Sequence, residues 1–227
     1  MKKLLCTLLA LLLICGSSLA ETVFVTISDG QGNTVMAHES VDASDVDGDG
    51  AVTIYDALYA AHEAAFAGGA DAGFAAGDLG YGLSLTKLWG EENGGSYGYY
   101  VNNVSAYSLT DPLSEGDCLR AFAYTDLEAW SDLYSYFSGG EAMECAVGED
   151  VVLTLNAQSY DADWNAIVSP FAGAVIRVNG EDTPVVTDDD GNAQLRFDAP
   201  GEYLVSARSD ESILVPPVCV VTVSQAK

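Results

Sequence analysis

One acidic loop decides the fold of the first half of the chain: DVDGDGAVTIYD, residues 45–56. Before this loop, alternating residues at 22–27 and 34–37 flank a turn-forming cluster and predict a β-hairpin. After it, apolar residues recur at helical spacing up to Gly68-Gly69, where we expect the helix to end. The loop therefore joins a hairpin to one predicted helix, whose apolar positions are Ile54, Ala57, Leu58, Ala61 and Ala65.

More strands are predicted after the helix. Alternation at residues 81–89 and 118–124, together with an aromatic run at 97–101, indicates three or four of them. A single helix packed on a mixed sheet is the β-grasp kind of α+β layout. We therefore expect an α+β, β-grasp-like domain over residues 21–138.

Only strand and turn patterns follow Ser138-Gly139-Gly140, where we place the domain boundary. The β-rich runs are separated by turn dipeptides such as Asn179-Gly180 and Asp190-Gly191. Regularly spaced short strands are typical of a small β-sandwich. The second domain, residues 141–227, is therefore predicted to be an all-β Ig-like sandwich, with strands near 151–155, 174–178, 193–197, 203–207 and 218–223.

The acidic loop has the ligand pattern of an EF-hand. Aspartates occupy loop positions 1, 3, 5 and 12, Gly50 stands at position 6, and a threonine stands at position 9. Calcium is a hard cation that takes about six to eight oxygen ligands, and alternate spacing points successive carboxylates into one turn. We predict a Ca²⁺ site formed by Asp45, Asp47, Asp49, the carbonyl of Ala51, Thr53 and Asp56.

The same residues have a metal-free interpretation. Asp-Gly pairs form ordinary turns, and Thr53-Ile54-Tyr55-Asp56 has the pattern of a capping box that opens a helix. The cap is compatible with calcium binding, because position 9 of such a loop normally starts the exiting helix. Val52, at position 8, is apolar and is expected to pack in the core.

The loop resembles those of dockerins, in which an aspartate rather than a glutamate closes the site, as Asp56 does here. Dockerins carry two such segments about a helix apart, whereas this chain has one, and a predicted strand precedes it. The resemblance implies calcium chelation at residues 45–56, and binding of cohesins is not carried over with it.

A wider resemblance covers residues 21–137. The hairpin and helix are followed by Leu88-Trp89-Gly90, by GSYGYYVNN at 95–103, and by Ser114-Glu115-Gly116-Asp117. This pattern resembles the small β-domain at the C-terminus of transcobalamin and the related domain of bacterial surface proteins. It implies that fold, and it gives capture of a corrinoid (cobalamin) or another small molecule as an alternative function. Packing in the core and sheet also accounts for the aromatic residues concerned, Trp89, Tyr97, Tyr99 and Tyr100.

The N-terminus predicts export. Lys2-Lys3, an apolar run at 4–14 and Ser18-Leu19-Ala20 together have the pattern of a signal peptide over residues 1–20. No later apolar stretch is long enough to span a membrane, so we expect no span in the mature chain. A secreted or cell-surface protein is expected.

The charge of the chain restricts its partners. The sequence has 34 acidic and 8 basic residues, which gives a formal net charge of −26. Such a charge repels nucleic acid and anionic membrane surfaces and attracts cations. We expect a calcium-binding module of the ligand-binding or adhesion type, whose further ligand is an unidentified small molecule, glycan or protein.

Two apparent catalytic motifs are not expected to act. Residues 94–98, GGSYG, have the pattern of a hydrolase elbow around Ser96, but a strand-like run follows where a helix is needed. Both histidines, His38 and His62, precede that serine. Ser84-Leu85-Thr86-Lys87 alternates like a strand, whereas its motif needs a helical turn to bring lysine beside serine. We therefore predict a protein without catalytic activity.

Three cysteines follow the signal peptide: Cys118, Cys145 and Cys219. An odd number leaves at least one thiol unpaired within the chain. A disulfide between Cys145 and Cys219 would link the first and last strands of the sandwich, if those strands run side by side. A Cys118–Cys145 bridge between the domains and three reduced thiols are the alternatives.

Overall fold

The computed structural model describes residues 20–80, 82–161, 163 and 165–225. The predicted signal peptide lies outside the described residues, apart from Ala20. The described chain is mostly β-strand arranged in several sheets, with two helices. Neither of the helices found in these ranges has the length and apolar character that crossing a bilayer requires.

The first half of the chain forms a five-stranded mixed sheet. Its elements are β1 (Ala20–Ser28), β2 (Thr34–Ser44), α1 (Ile54–Ala65), α2 (Gly69–Gly73), β3 (Ala75–Asp78), β4 (Leu83–Lys87), β5 (Tyr97–Val101), β6 (Val104–Ser105) and β7 (Cys118–Ala123). The sheet order is β2-β1-β7-β5-β6, with β7 parallel to β1 and the other neighbours antiparallel. Strands β3 and β4 form a separate antiparallel pair.

The inner face of this sheet follows from alternation along β1. Val23, Val25 and Ile27 are fully buried and share one core with Ile54 and Leu58 of α1. Burying each large aliphatic side chain contributes about 1.5–3 kcal/mol, so this contact fixes α1 on the sheet. Other predicted positions of the helix, Ala57 and Ala61, are buried as well, whereas Ala65 is exposed.

Two boundaries differ from the sequence-based expectation. Strand β2 continues to Ser44, beyond the alternation predicted at residues 34–37, because Val41 and Ala43 supply two more buried positions. Helix α1 ends at Ala65, and Gly68, in the left-handed region at φ 96°, precedes the short α2. Gly68 therefore lies between the two helices, and Gly69 is the first residue of α2.

The second half of the chain forms two packed sheets. Its strands are β8 (Leu133–Ser138), β9 (Ala142–Ala146), β10 (Asp150–Tyr160), β11 (Ala166–Pro170), β12 (Val175–Val178), β13 (Glu181–Val186), β14 (Asn192–Arg196), β15 (Gly201–Arg208), β16 (Leu214–Val215) and β17 (Cys219–Ser224). One sheet has the order β11-β10-β8-β16, with β14 also paired to β10, and the other has the order β13-β12-β15-β17-β9.

One core lies between these two sheets. Leu153 and Leu155 of β10 pack in it with Ile176 of β12, Val205 of β15 and Val221 of β17. The five predicted β-runs of this half fall on β10, β12, β14, β15 and β17. The arrangement is a β-sandwich, consistent with the predicted Ig-like architecture.

Strand β8 lies before the predicted boundary at Ser138-Gly139-Gly140, yet it pairs with β10 and β16. Strand pairing therefore places the change from the first sheet to the sandwich between Ala123, the end of β7, and Leu133. A glycine pair inside a sandwich connection looks the same in sequence as a linker, which explains the difference.

The two halves are in contact. A small apolar cluster joins Tyr100 and Phe122 of the first sheet to Tyr134 and Val215 of the sandwich. These side chains extend from the face of the first sheet opposite α1. That face is therefore covered by the second half of the chain.

The expected disulfide between Cys145 and Cys219 is wrong for this fold, in which all three described cysteines are free. Strands β9 and β17 do run side by side, but in parallel, with Cys145 opposite Val223. Cys219 lies four residues further back along β17, which at about 3.3 Å per residue separates the two cysteines by far more than the roughly 7 Å limit for a bridge.

Candidate functional site

The acidic loop brings three of the predicted calcium ligands together. Carboxylate oxygens of Asp45, Asp47 and Asp49 lie within 4.8 Å of one another, and Asp47 and Asp49 are exposed. Among the ion pairs of the described residues, none involves these three aspartates. The cluster is thus a compact set of hard oxygen donors without a side-chain cation to neutralise it.

Hydrogen bonds within the loop hold the carboxylates in this arrangement. Asp45 accepts from the backbone amides of Gly48 at 2.7 Å and Gly50 at 3.0 Å. The amide of Asp49 donates to Asp47 at 3.1 Å, and that of Ala51 donates to Asp49 at 2.9 Å. Gly50 has φ 97°, a left-handed conformation that favours glycine and allows the sharp bend.

Thr53 and Asp56 lie at the start of α1, where they form the predicted capping box. One Asp56 oxygen, Oδ2, accepts from the amide and the hydroxyl of Thr53, both at 2.8 Å, and Oδ1 accepts from the amide of Val46 at 2.8 Å. Asp56 is fully buried and is not part of the three-aspartate cluster. Val52 packs in the core as expected, and its carbonyl accepts from the amide of Leu113 at 2.8 Å.

The negative charges of the loop favour the binding of a cation. Desolvation and the negative charges of Asp49, Asp56 and Asp45 raise the pKa of Asp47 above its usual value. The charge of Asp56 therefore acts on the cluster even though its oxygens bond to the helix start. Carboxylate oxygens on a bent loop are the donors that calcium prefers, so the residues present fit this ion.

A second feature is an aromatic cleft between the two halves of the chain, with a volume of about 480 Å³. The first half contributes Tyr97, Tyr100 and Phe122, the connection before β8 contributes Tyr124 and Trp130, and the sandwich contributes Tyr134, Gln158 and Tyr160. Tyr97 and Tyr100 belong to the aromatic strand that the sequence singled out. Nothing in the local pattern linked them to the others, which come from strands distant in sequence.

The floor of the cleft is rigid. The rings of Tyr100 and Tyr134 are stacked with their centroids 3.6 Å apart and nearly parallel. The Tyr100 and Tyr160 hydroxyls are 3.3 Å apart, and the Gln158 amide donates to Tyr160 at 2.9 Å. Burial raises the pKa of Tyr134 to about 12 and also raises that of Tyr100, so both phenols stay protonated at neutral pH.

The other two aromatic candidates from the sequence lie elsewhere. Tyr99 is buried in the core under α1, and Trp89 packs against His62 and Phe66. His62 is a core residue whose ring meets the carbonyl of Leu58 at 2.6 Å and accepts from the amide of Trp89 at 3.0 Å. Burial lowers the pKa of His62, which is therefore neutral and fully bonded.

The residues of the two apparent catalytic motifs are on strands or at strand ends. Ser96 directly precedes β5, and its hydroxyl accepts from the indole nitrogen of Trp130 at 3.3 Å. Ser84 and Lys87 both belong to β4. A helical turn, which each motif needs for its chemistry, is absent at both of these described positions.

No model of a known protein family matches this chain, and no curated protein sequence matches it significantly. Among solved structures, the ectodomain of the teleost fish polymeric Ig receptor is similar with a TM-score of 0.24 and 13% sequence identity. The similarity covers 60% of this chain and 66% of the receptor chain, just under two thirds of the latter. At that TM-score it carries no argument about fold or function.

Proposed function

We propose that this chain is an exported, non-catalytic calcium-binding module that captures a ligand outside the cytoplasm. The observation that carries the proposal is the convergence of Asp45, Asp47 and Asp49, whose oxygens lie within 4.8 Å of one another. Three negative charges at that separation repel one another unless a cation lies among them. Calcium is the cation whose preference for several carboxylate and carbonyl oxygens suits the loop.

The remaining predicted ligands are assigned by position. The carbonyl of Ala51, Thr53 and Asp56 would complete the shell, with Asp56 closing the loop as in dockerin-type segments. The capping box leaves Asp56 one position for the ion, because Oδ2 accepts two hydrogen bonds whereas Oδ1 accepts one and keeps a second lone pair. Bound calcium would neutralise the loop, and the loop would then hold the end of β2 and the start of α1 together.

The proposal includes a β-grasp-like first domain and an Ig-like second domain. The order β2-β1-β7-β5-β6, with β7 parallel to β1 and α1 on one face, supports the first assignment. Two sheets packed around one core support the second. The predicted signal peptide supports export, which is tested by sequencing the N-terminus of the protein recovered outside the cell; Glu21 is the expected first residue.

The aromatic cleft supports the ligand-binding part of the proposal. A cavity of about 480 Å³ falls in the range of about 300–1,000 Å³ typical of small-molecule sites. Capture of a corrinoid or another small molecule is the alternative to an adhesion role. The aromatic strand that suggested it, β5, contributes Tyr97 and Tyr100 to the cleft.

Calorimetric titration tests the calcium assignment. The chelator-treated full chain is titrated with calcium chloride, and its melting temperature is followed with and without the ion. We expect one saturable site and a higher melting temperature, because a ligand bound by the folded state alone stabilises it by mass action. Asp47→Asn keeps the side-chain shape but removes one charge and should weaken binding by about tenfold or more.

Asp189→Asn is the matched control, since Asp189 is an exposed aspartate in another acidic turn. This variant should bind calcium like the unmodified chain. Absence of any calcium-dependent heat and of any shift in melting temperature would refute the calcium assignment. Equal weakening in Asp47→Asn and Asp189→Asn would show that only the overall negative charge matters.

A further inference from the structure

Trp130 is exposed in a strained backbone conformation. Its side chain is 61% exposed at the edge of the aromatic cleft, and its backbone has φ 49°, which a bulky residue rarely adopts. Such strain persists only where the surrounding structure holds it, and it is found preferentially at functional sites. An exposed tryptophan also gains little stability from burial, so packing does not explain its presence.

Two aspartates hold the loop that displays this tryptophan. Asp126 accepts from the amides of Glu128 and Ala129 at 3.0 Å and from the Ser131 hydroxyl at 2.6 Å. Asp132 accepts from the amides of Thr125 at 2.7 Å and Asp126 at 2.9 Å. The bonds from Ser131, Ala129 and Glu128 lower the pKa of Asp126 to about 2, so this carboxylate stays ionised, and able to accept these bonds, at neutral pH.

The indole ring is also fixed relative to the cleft. Its nitrogen donates to the hydroxyl of Ser96, the residue directly before β5. The ring thus lines the cleft in a set orientation before any ligand arrives. Pre-organisation of this kind reduces the entropy lost on binding.

The chemistry of the lining disfavours an anionic ligand. None of the described residues that line the cleft is a lysine, arginine or histidine, and the chain carries a net charge of −26, so anions are repelled. The one carboxylate among the described lining residues, Asp132, accepts from the amides of Thr125 and Asp126, so its charge is already partly compensated and it can also accept from a ligand hydroxyl. Polar groups are interspersed among the rings, namely Ser96, Ser131, Gln158 and Ser159.

We propose that the cleft binds an uncharged pyranose unit of a glycan, stacked on Trp130. A pyranose combines an apolar face of C–H groups with a rim of hydroxyls, and the lining offers rings for the first and hydroxyl and amide groups for the second. The volume of about 480 Å³ suits one or two sugar units. This inference rests on the ligand-binding part of the proposed function and is independent of the calcium assignment.

A defined panel of ligands tests the proposal on the full chain in calcium-containing buffer. The uncharged probes are maltotriose, cellotriose, xylotriose, mannotriose and chitotriose, and the comparison ligands are trigalacturonate, choline and cobalamin. Calorimetry gives the dissociation constants, and tryptophan fluorescence reports on the indole ring. We expect at least one uncharged trisaccharide to bind with a change in fluorescence, and trigalacturonate not to bind.

Variants at the tryptophan connect binding to the cleft. Trp130→Ala should weaken binding of that trisaccharide by about tenfold or more, and Trp130→Phe, which keeps a ring, should weaken it less. Tyr107→Ala is the matched control, because Tyr107 is an aromatic residue 88% exposed and outside the cleft. Melting curves verify that each variant is folded before its affinity is compared.

Three outcomes would overturn the inference: no uncharged trisaccharide binds at millimolar concentration, Trp130→Ala binds like the unmodified chain, or only choline or cobalamin binds. Cobalamin binding that depends on Trp130 would leave ligand capture standing and would replace the glycan by a corrinoid. Calcium titration of the same preparation separates a failure of this inference from a failure of the calcium site.

Discussion

Arg120 and Glu141 form a buried ion pair across the junction of the two halves, with Arg120 Nε 3.5 Å from Glu141 Oε1. The two side chains are only 3% and 7% exposed. Arg120 also donates to the carbonyl of Ser135 at 2.8 Å, and Glu141 accepts from the hydroxyl of Thr26 at 2.9 Å. Each of these charged side chains therefore binds groups of the opposite half of the chain, and the pair fixes how the sandwich sits on the first sheet.

Removing the charge of Glu141 should strongly destabilise the fold. Glu141→Gln leaves the Arg120 guanidinium buried without a counter-charge, and breaking a buried pair in this way costs about 3–5 kcal/mol. Lys87 and Glu92 form a pair in which Glu92 is 72% exposed, so Glu92→Gln should cost about 1 kcal/mol or less. Urea unfolding of the three proteins measures the difference. Equal midpoints for the two variants would contradict the assigned role of the buried pair.

His38 should make the stability of the junction depend on pH. Its Nδ1 lies 3.4 Å from Glu141 Oε2, and contacts with Cys118 and Glu141 raise the pKa of His38 from 6.5 to about 9. Because the folded state has the higher pKa, the contribution of protonated His38 is fully present below pH 6.5 and is lost as pH rises toward about 9. Arg120 is the other charged group on this carboxylate.

The variant His38→Gln isolates this contribution. Its melting temperature should lie well below that of the unmodified chain at pH 6, and the difference should shrink by pH 9.5. Comparing the two proteins at each pH removes the effect of titrating groups that do not interact with His38. A difference that stays constant between the two pH values would show that the histidine stabilises the junction by packing alone, through its ring stacked on Phe24.

The local sequence pattern predicted many strands of this chain but none of the contacts at the junction of its two halves. Period-two alternation placed β7 and an aromatic run placed β5, and the Thr53–Asp56 cap was predictable because its residues are neighbours in sequence. Alternation shows that a strand has a buried face but does not reveal which strand covers it. The pairing of β8 with β10, the cleft shared by Trp130 and Tyr160, and the parallel offset of Cys145 and Cys219 all depend on long-range register.

Asp56 accepts hydrogen bonds in the helix cap and is also a proposed calcium ligand. A conservative substitution should separate these two roles. Asp56→Asn keeps an oxygen that can accept from Thr53 but places an NH2 group against the Val46 amide, so stability in chelator should fall by about 1–3 kcal/mol. Because the substitution removes the charge at position 12 of the loop, calcium affinity should fall by about tenfold or more. Thr53→Ala, which removes a hydroxyl of the cap, should cost about 0.5–2 kcal/mol in chelator and more in calcium, because it also removes a proposed ligand. Unchanged calcium affinity in Asp56→Asn would assign this residue to the cap alone.

The three thiols should resist modification in the folded protein. Cys145 and Cys219 are buried, and burial raises the pKa of Cys145 and raises that of Cys219 to about 11, which suppresses the reactive thiolate. Cys118 is partly exposed and should react first with iodoacetamide. Unfolding without a reductant should release all three for alkylation. A peptide joining Cys145 to Cys219 would require a register of β9 and β17 different from the one described here.

Alanine substitutions at two strand glycines should change stability in opposite directions. Gly98 of β5 lies opposite Phe122 of β7, and a Cβ at this position would be less than 3.0 Å from the Phe122 ring. That ring cannot easily move, because it is 2% exposed and packs between Tyr100 and Tyr124. Gly98→Ala should therefore destabilise the fold by about 1–3 kcal/mol through overpacking.

Gly77 of β3 provides the matched control for Gly98. A Cβ there would meet only the Thr86 methyl group, at an ordinary 3.5 Å, and neither glycine is in the left-handed region. Gly77→Ala should stabilise the chain by about 0.4–1 kcal/mol, because alanine reduces the entropy of the unfolded state. Urea unfolding of both variants measures the two signs. A neutral Gly98→Ala would mean that the Phe122 ring is free to move, and the packing assigned to the junction beside Tyr100 and Tyr134 would then be wrong.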